Sequence, residues 1–240
     1  MLINRRHRKK QKPPCHRWRA EVGNVVVYTK NVQFGERHHH QWDSEKLFFQ
    51  ALNLGDDEPK RQVELLTQAI ALTPRDADCY INRGIARDAL GDAEGALADY
   101  NMAIRLKPKS AMAWNNRGFL RYKQQRYAES IADFDRAIVL DPGYVNPRVS
   151  RGAAYGMLGQ HDRAMEDFRQ AIDIAPDFLL ARVNRAAYNM NLGHLNNARE
   201  ELLEVLDLDP DDRSRVLAEQ YLQMIADHEA ASNHPTNHSS

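Results

Sequence analysis

The chain has 240 residues, 42% of them hydrophobic, with 33 basic and 33 acidic side chains and a formal net charge of zero. It can bury a sizeable core, and its two cysteines are too few for a disulfide framework or a thiolate zinc site, so a reducing, cytoplasmic setting is expected. No apolar run approaches the roughly 20 residues that span a bilayer, and Val25 to Tyr28 is too short for a signal-peptide core.

The neutral total hides an asymmetry, because residues 1–19 hold eight Lys or Arg and no acid, leaving 25 bases against 33 acids in the rest. Residues 1–42 are therefore read as a basic, flexible N-terminal arm. Arg5, Arg6, Arg8, Lys9, Lys10, Lys12, Arg17 and Arg19 would neutralise phosphates and release counterions, and Trp18 would stack on a base. That chemistry suits nucleic acid or an anionic membrane surface; a solvated leader with no partner is the alternative, since runs of charge are commonly no more than that. Val22 and Val25 to Tyr28 predict one short strand or hairpin. His38, His39 and His40 point in different directions on a strand or a helix, and nothing at ligand spacing joins them, so no metal site is expected.

From residue 43 the chain repeats. Pro74, Pro108, Pro142, Pro176 and Pro210 are each 34 residues apart. Gly84, Gly118, Gly152 and Ala186 recur in phase with them, and Gly91, Gly159 and Gly193 mark a turn seven residues after the small position. Glycine in mid-helix costs about 1 kcal/mol against alanine, so close helix packing must compensate. Each proline ends a second helix, because it has no N–H to continue one. Ala96, Leu97, Tyr100, Ala103 and Ile104 recur at three and four, the buried face of an amphipathic helix. A unit of two such helices cannot bury its apolar face alone and must stack on its neighbours.

A second periodic signal is a charge pair. Arg83 is followed sixteen residues later by Asp99, Arg117 by Asp133, Arg151 by Asp167 and Arg185 by Glu201. Upstream the same two positions hold Phe49 and Leu65, with Gln50 in the small-residue position. Charge and its loss switch together, as expected of positions that touch between the two helices of a repeat.

These residues resemble the tetratricopeptide repeat (TPR) family. The pattern reads Tyr80, Gly84, Ala96, Tyr100, Ala103, Pro108, then Trp114, Gly118, Ser130, Phe134, Ala137, Pro142, then Gly152, Tyr155, Ala164, Phe168, Ala171, Pro176. A fourth copy keeps Ala186, Ala198 and Pro210 but has Leu202 and Val205 for an aromatic and an alanine. Arg148 and Arg182 replace a large aromatic, and Arg87, Arg121 and Asn189 replace a tyrosine. The resemblance implies an all-α fold: a right-handed α-α superhelical solenoid of about five TPR units with a C-terminal capping helix. The expected boundaries are a degenerate first repeat over 43–76, repeats over 77–110, 111–144, 145–178 and 179–212, a capping helix over 213–227 and a disordered tail over 228–240.

The resemblance also implies that each first helix lines a concave groove, with Asn82, Asn116, Ser150 and Asn184 on one track. Asn115, Phe119, Tyr122, Lys123, Met157 and Asn191 stand beside it. An amide offers both donor and acceptor, so a ladder of them would read a main chain whatever its side chains; the alternative is that these amides only solvate the groove or bond within it. A clamp for an acidic C-terminus is not expected, because the positions that would carry its cations hold Asp78, Ile81, Met112, Asn115, Asn146, Val149, Leu180 and Val183. No phosphate loop, nucleophile elbow or metalloprotease motif occurs, so no catalytic residue, cofactor or small-molecule substrate is expected. The expected function is a noncatalytic protein–protein interaction scaffold that holds a partner peptide in the groove. The alternative is an adaptor tethered to nucleic acid or an anionic membrane by the arm.

Overall fold

The computed structural model describes residues 17–22, 25–30 and 39–233, which form two compact units, one ending at Arg75 and the other beginning at Asp76. In the first unit, β1 (Arg17–Val22) and β2 (Val25–Lys30) pair antiparallel, with Arg17 opposite Lys30 and Val22 opposite Val25. The β-branched run of β2 favours this extended form. The arm thus contains a hairpin, and Arg17 and Arg19 lie within β1. The other basic arm residues, Arg5 to Lys12, fall outside the described residues, as does His38.

Helices α1 (His39–Asn53) and α2 (Pro59–Leu72) follow, joined by a single 3-10 turn at Gly55–Asp57. Helix α1 starts four residues before the expected boundary at 43 and takes in His39 and His40. Proline at the first position of α2 forfeits an N–H that no helix would use. Ser44, Phe48 and Ala51, spaced four and three apart, form the buried face of α1, and the Ser44 hydroxyl donates to the Ala69 carbonyl at 3.1 Å. This corrects the expected register: Gln50 is exposed, and Ala51 sits inside instead. A glutamine is too long and too polar for a position sized for glycine, so α1 is turned about its axis. Phe49 is left half-buried, edge-on to Phe48 at 5.8 Å.

The second unit is an all-helical solenoid of four helix pairs and a closing helix: α3 (Ala77–Ala89) with α4 (Ala93–Leu106), α5 (Ala111–Lys123) with α6 (Tyr127–Leu140), α7 (Asn146–Met157) with α8 (His161–Ile174), α9 (Leu179–Asn191) with α10 (Leu195–Asp207), then α11 (Asp212–Asn233). Sequence sets the helix starts: Asp76, Asp92 and Ser110 accept from backbone N–H groups of the first turn that would otherwise lack partners. Gly91, Gly159 and Gly193 turn the chain between paired helices at φ of 79°, 69° and 79°; Gln125 takes the same place at 61°. Helix α11 continues past 227 to Asn233, where a disordered tail is expected from 228, because Glu229 pairs with Arg199 of α10 and Ala230 and Ala231 favour helix.

The small positions are explained by an aromatic ring sixteen residues on. A Cβ on Gly84 would lie 2.6 Å from Tyr100, one on Gly118 2.8 Å from Phe134, and one on Gly152 3.0 Å from Phe168. Arginine in the aromatic position is explained by a hydrogen bond. Trp114 Nε1 donates to the carbonyl of Pro108 at 2.9 Å, and Arg148 Nη1 donates to that of Pro142 at 2.6 Å. Either side chain is a long N–H donor that reaches back six residues to the carbonyl of the closing proline. Among the described residues no helix is long and apolar enough to cross a membrane.

Candidate functional site

The charges of the first helices are committed to holding repeats together. Arg83, Arg117 and Arg151 each grip the acid sixteen residues on with two bonds of 2.6–2.9 Å, and Arg185 grips Glu201 at 2.5–3.1 Å. The acids are almost fully enclosed; Asp133 is 2% exposed. Arg87 and Arg121, in the tyrosine position, add a second guanidinium to Asp99 at 2.9 Å and to Asp133 at 2.7 Å. The third arm of the arginine reaches the preceding repeat: Arg117 Nη1 meets Asn101 at 2.7 Å and Arg151 Nη1 meets Asp135 at 2.5 Å. Asn101, on the second helix of its repeat, thereby joins two repeats. Burial holds the Arg148 guanidinium below its usual range, with Arg151 adding to the effect.

The four candidates of the asparagine track differ in what they bond. Asn82 Nδ2 donates to the Asp78 carbonyl at 2.8 Å and Asn184 Nδ2 to the Leu180 carbonyl at 2.7 Å, each four residues back on its own helix. Ser150 is half-buried on α7 and Asn191 exposed at the end of α9. Asn116 is different. Its Oδ1 accepts from Asn115 Nδ2 at 3.2 Å, and Asn115 Nδ2 also reaches the Tyr144 hydroxyl at 3.2 Å. Both asparagines are buried, 5% and 8% exposed, and Asn115 Oδ1 and Asn116 Nδ2 have no partner. Turning both amides over exchanges their roles and still leaves one donor and one acceptor.

A buried polar atom with no partner costs about 1–3 kcal/mol, more than the roughly 1 kcal/mol of a neutral hydrogen bond. Swinging the Asn116 amide outward therefore gives up one long bond and relieves a larger penalty. Around this pair lies an apolar shelf. Phe119 is 41% exposed and stacks on Tyr122 with ring centres 6.4 Å apart and planes 14° from parallel. Tyr122 in turn meets the edge of Tyr127 at 5.5 Å, and burial, then Tyr127, pushes its phenol pKa up, so it stays neutral. Met157 on α7 is also exposed. Lys123 pairs with Asp88 of α3 at 2.7 Å and Lys107 with Asp78 at 3.3 Å.

Tyr144 is absent from the sequence-based site because it lies between helices; its only signal is a tyrosine two residues before the start of α7. Among the described residues, no group of three or more His, Cys, Asp or Glu could hold a metal ion. Burial, with Asp76 and Asp78 adding to it, raises the Cys79 thiol well above its usual range, so that thiol is a poor nucleophile.

Among curated proteins, none matches this sequence. Solved structures share the fold. TTC0263 of Thermus thermophilus is similar at a TM-score of 0.66 and 19% identity, over 75% of this chain and 99% of that one. PilF of Pseudomonas aeruginosa is similar at 0.64 and 17%, over 82% and 90%. YrrB, a TPR protein with an unusual peptide-binding site, is similar at 0.53 and 19%, over 74% and 92%. Models of the tetratricopeptide repeat match residues 63–111, 81–145, 148–178 and 181–212, so the family pattern begins within α2 and leaves out the turned helix α1. Those matches span more than half of the sequence, and the chain belongs to the tetratricopeptide repeat family.

Proposed function

We propose that the chain is a noncatalytic interaction scaffold that holds an extended segment of a partner protein against the face of α5. One observation carries the reading: the buried Asn115–Asn116 pair keeps one donor and one acceptor unspent. A peptide unit offers both an acceptor and a donor, so a main chain laid along α5 would satisfy the Asn116 amide once it swings outward. The family, and a structural neighbour described as peptide-binding, support the same class. The reading contains no enzymatic step: Arg83, Arg117, Arg151 and Arg185 are tied to acids, and Cys79 is buried. Tethering to nucleic acid or an anionic membrane rests mostly on Arg5 to Lys12, outside the described residues, and the placement of Arg17 and Arg19 in β1 does not by itself support it. A salt series distinguishes the two, since arm binding weakens steeply with salt and groove binding does not.

The test is capture of partners by crosslinking from native extract, comparing Asn116→Ala with Val139→Ala. Removing the Asn116 amide is expected to leave the melting temperature within a degree or so and to weaken capture by roughly tenfold, the loss of about 1.4 kcal/mol. Val139 is 69% exposed on α6, and its variant is expected to capture normally. Equal capture by the two variants would sink the proposal.

A further inference from the structure

We infer, resting on the reading that α5 is where a partner sits, that the segment it takes is uncharged and anchored by an aromatic side chain. The asparagine ladder expected from sequence is broken. Asn82 and Asn184 each spend one N–H on their own helix, whereas Asn116 and its neighbour Asn115 form a buried pair in which one donor and one acceptor lack a partner.

The shelf beside that pair is aromatic and ordered. Phe119 and Tyr122 are stacked, and Tyr127 braces Tyr122 from the edge, so an incoming ring meets a fixed face without ordering these side chains first. Charge selects in the same direction. An acidic segment would need a free cation, but Lys123 is held by Asp88 and Lys107 by Asp78. A basic segment would need a free acid, and those two pairs occupy the acids as well. A charged segment would have to compete with these pairs, whereas a neutral aromatic one leaves them intact.

The experiment titrates full-length protein with three end-capped peptides of alternating Gly and Ala that differ at their centre, one carrying Trp, one Glu-Glu and one Lys-Lys, read by amide chemical-shift changes. The Trp peptide is expected to bind roughly tenfold tighter than either charged one, and Phe119→Ala, which empties no core position, to remove that advantage. Asn116→Ala is expected to weaken all three peptides alike. Equal binding of the three, or a Trp preference that survives Phe119→Ala, overturns the inference while leaving the α5 face as the site. Binding that is untouched by Asn116→Ala, or no binding by any probe, overturns the functional reading itself.

Discussion

In the repeat built from α5 and α6, Gly118 faces Phe134 so closely that a methyl group has no room, and Arg117 links three helices by holding Asp133 and Asn101. In the repeat built from α9 and α10, the same positions hold Ala186 facing a smaller Leu202, both fully buried in one cluster, and among the described residues Arg185 holds only Glu201. The cross-repeat partner is missing because Arg169 stands where Asn101 and Asp135 stand; it turns instead to Glu166 at 2.6 Å and Asp173 at 2.7 Å. That junction is closed by other means: Tyr188 packs against Gly156 and Phe168, and its hydroxyl meets His161 Nδ1 at 2.5 Å. The two repeats show that a solenoid constrains pairs of positions. A position gains a methyl where its partner loses a ring, and a lost polar rung is replaced by an aromatic wedge.

The largest effect expected from breaking this comparison is at Asp133. Asp133→Ala removes the buried acid that Arg117 and Arg121 share and should cost about 3–5 kcal/mol, measured by urea unfolding. Adding Arg117→Leu should return part of that loss, and a double variant less stable than the single would contradict the pairing. Glu201→Ala should cost less, because one arginine, 27% exposed, is stranded there.

Next comes the exchange of methyl for ring. Gly118→Ala should cost about 1–3 kcal/mol through overpacking against Phe134, and Phe134→Leu in the same chain should relieve it by recreating the Ala186–Leu202 arrangement. The reverse change, Ala186→Gly, should cost only about 0.5–1 kcal/mol from backbone entropy. If Gly118→Ala is neutral by itself, the coupling does not exist.

Arg169→Asn would sharpen the comparison by restoring the missing rung. It should add about 0.5–1.5 kcal/mol through a bond from Arg185, against a few tenths lost from exposed ion pairs. Slower amide exchange in α9 is the accompanying sign; unchanged exchange would show that Arg185 does not reach back. The smallest effect is at the turn. Gln125 occupies a left-handed conformation that glycine holds at 91, 159 and 193, so Gln125→Gly should stabilise by about 0.5–1 kcal/mol.

Paired positions were the legible part of this fold, because a bond that recurs every 34 residues leaves two periodic signals whose spacing can be measured and whose joint loss at Phe49 and Leu65 can be seen. Even so, that upstream switch marks a helix that has turned on its axis, because periodicity assumes each copy keeps its rotation and Gln50 could not. The asparagine track was less legible. Asn82 and Asn116 occupy one repeat position, but which amide bonds its own helix and which keeps an atom unspent depends on neighbours such as Asn115 and Tyr144 that differ between repeats. The arginines at 87, 121 and 148 read as departures from a pattern, whereas each supplies an N–H to an acid or a carbonyl that the packing leaves within reach.

The arithmetic of the arginine bonds bears on how the chain folds. Arg117 lies sixteen residues after Asn101 and sixteen before Asp133, and Arg151 stands in the same relation to Asp135 and Asp167. Every one of these links therefore closes a short loop, and short loops forfeit little chain entropy and form quickly. During synthesis each arginine emerges with its backward partner already exposed and waits only sixteen residues for its forward one. The second unit can accordingly assemble from its N-terminal end while the remainder is still being made, with the α5–α6 and α7–α8 pairs each fastened in this way to a finished template.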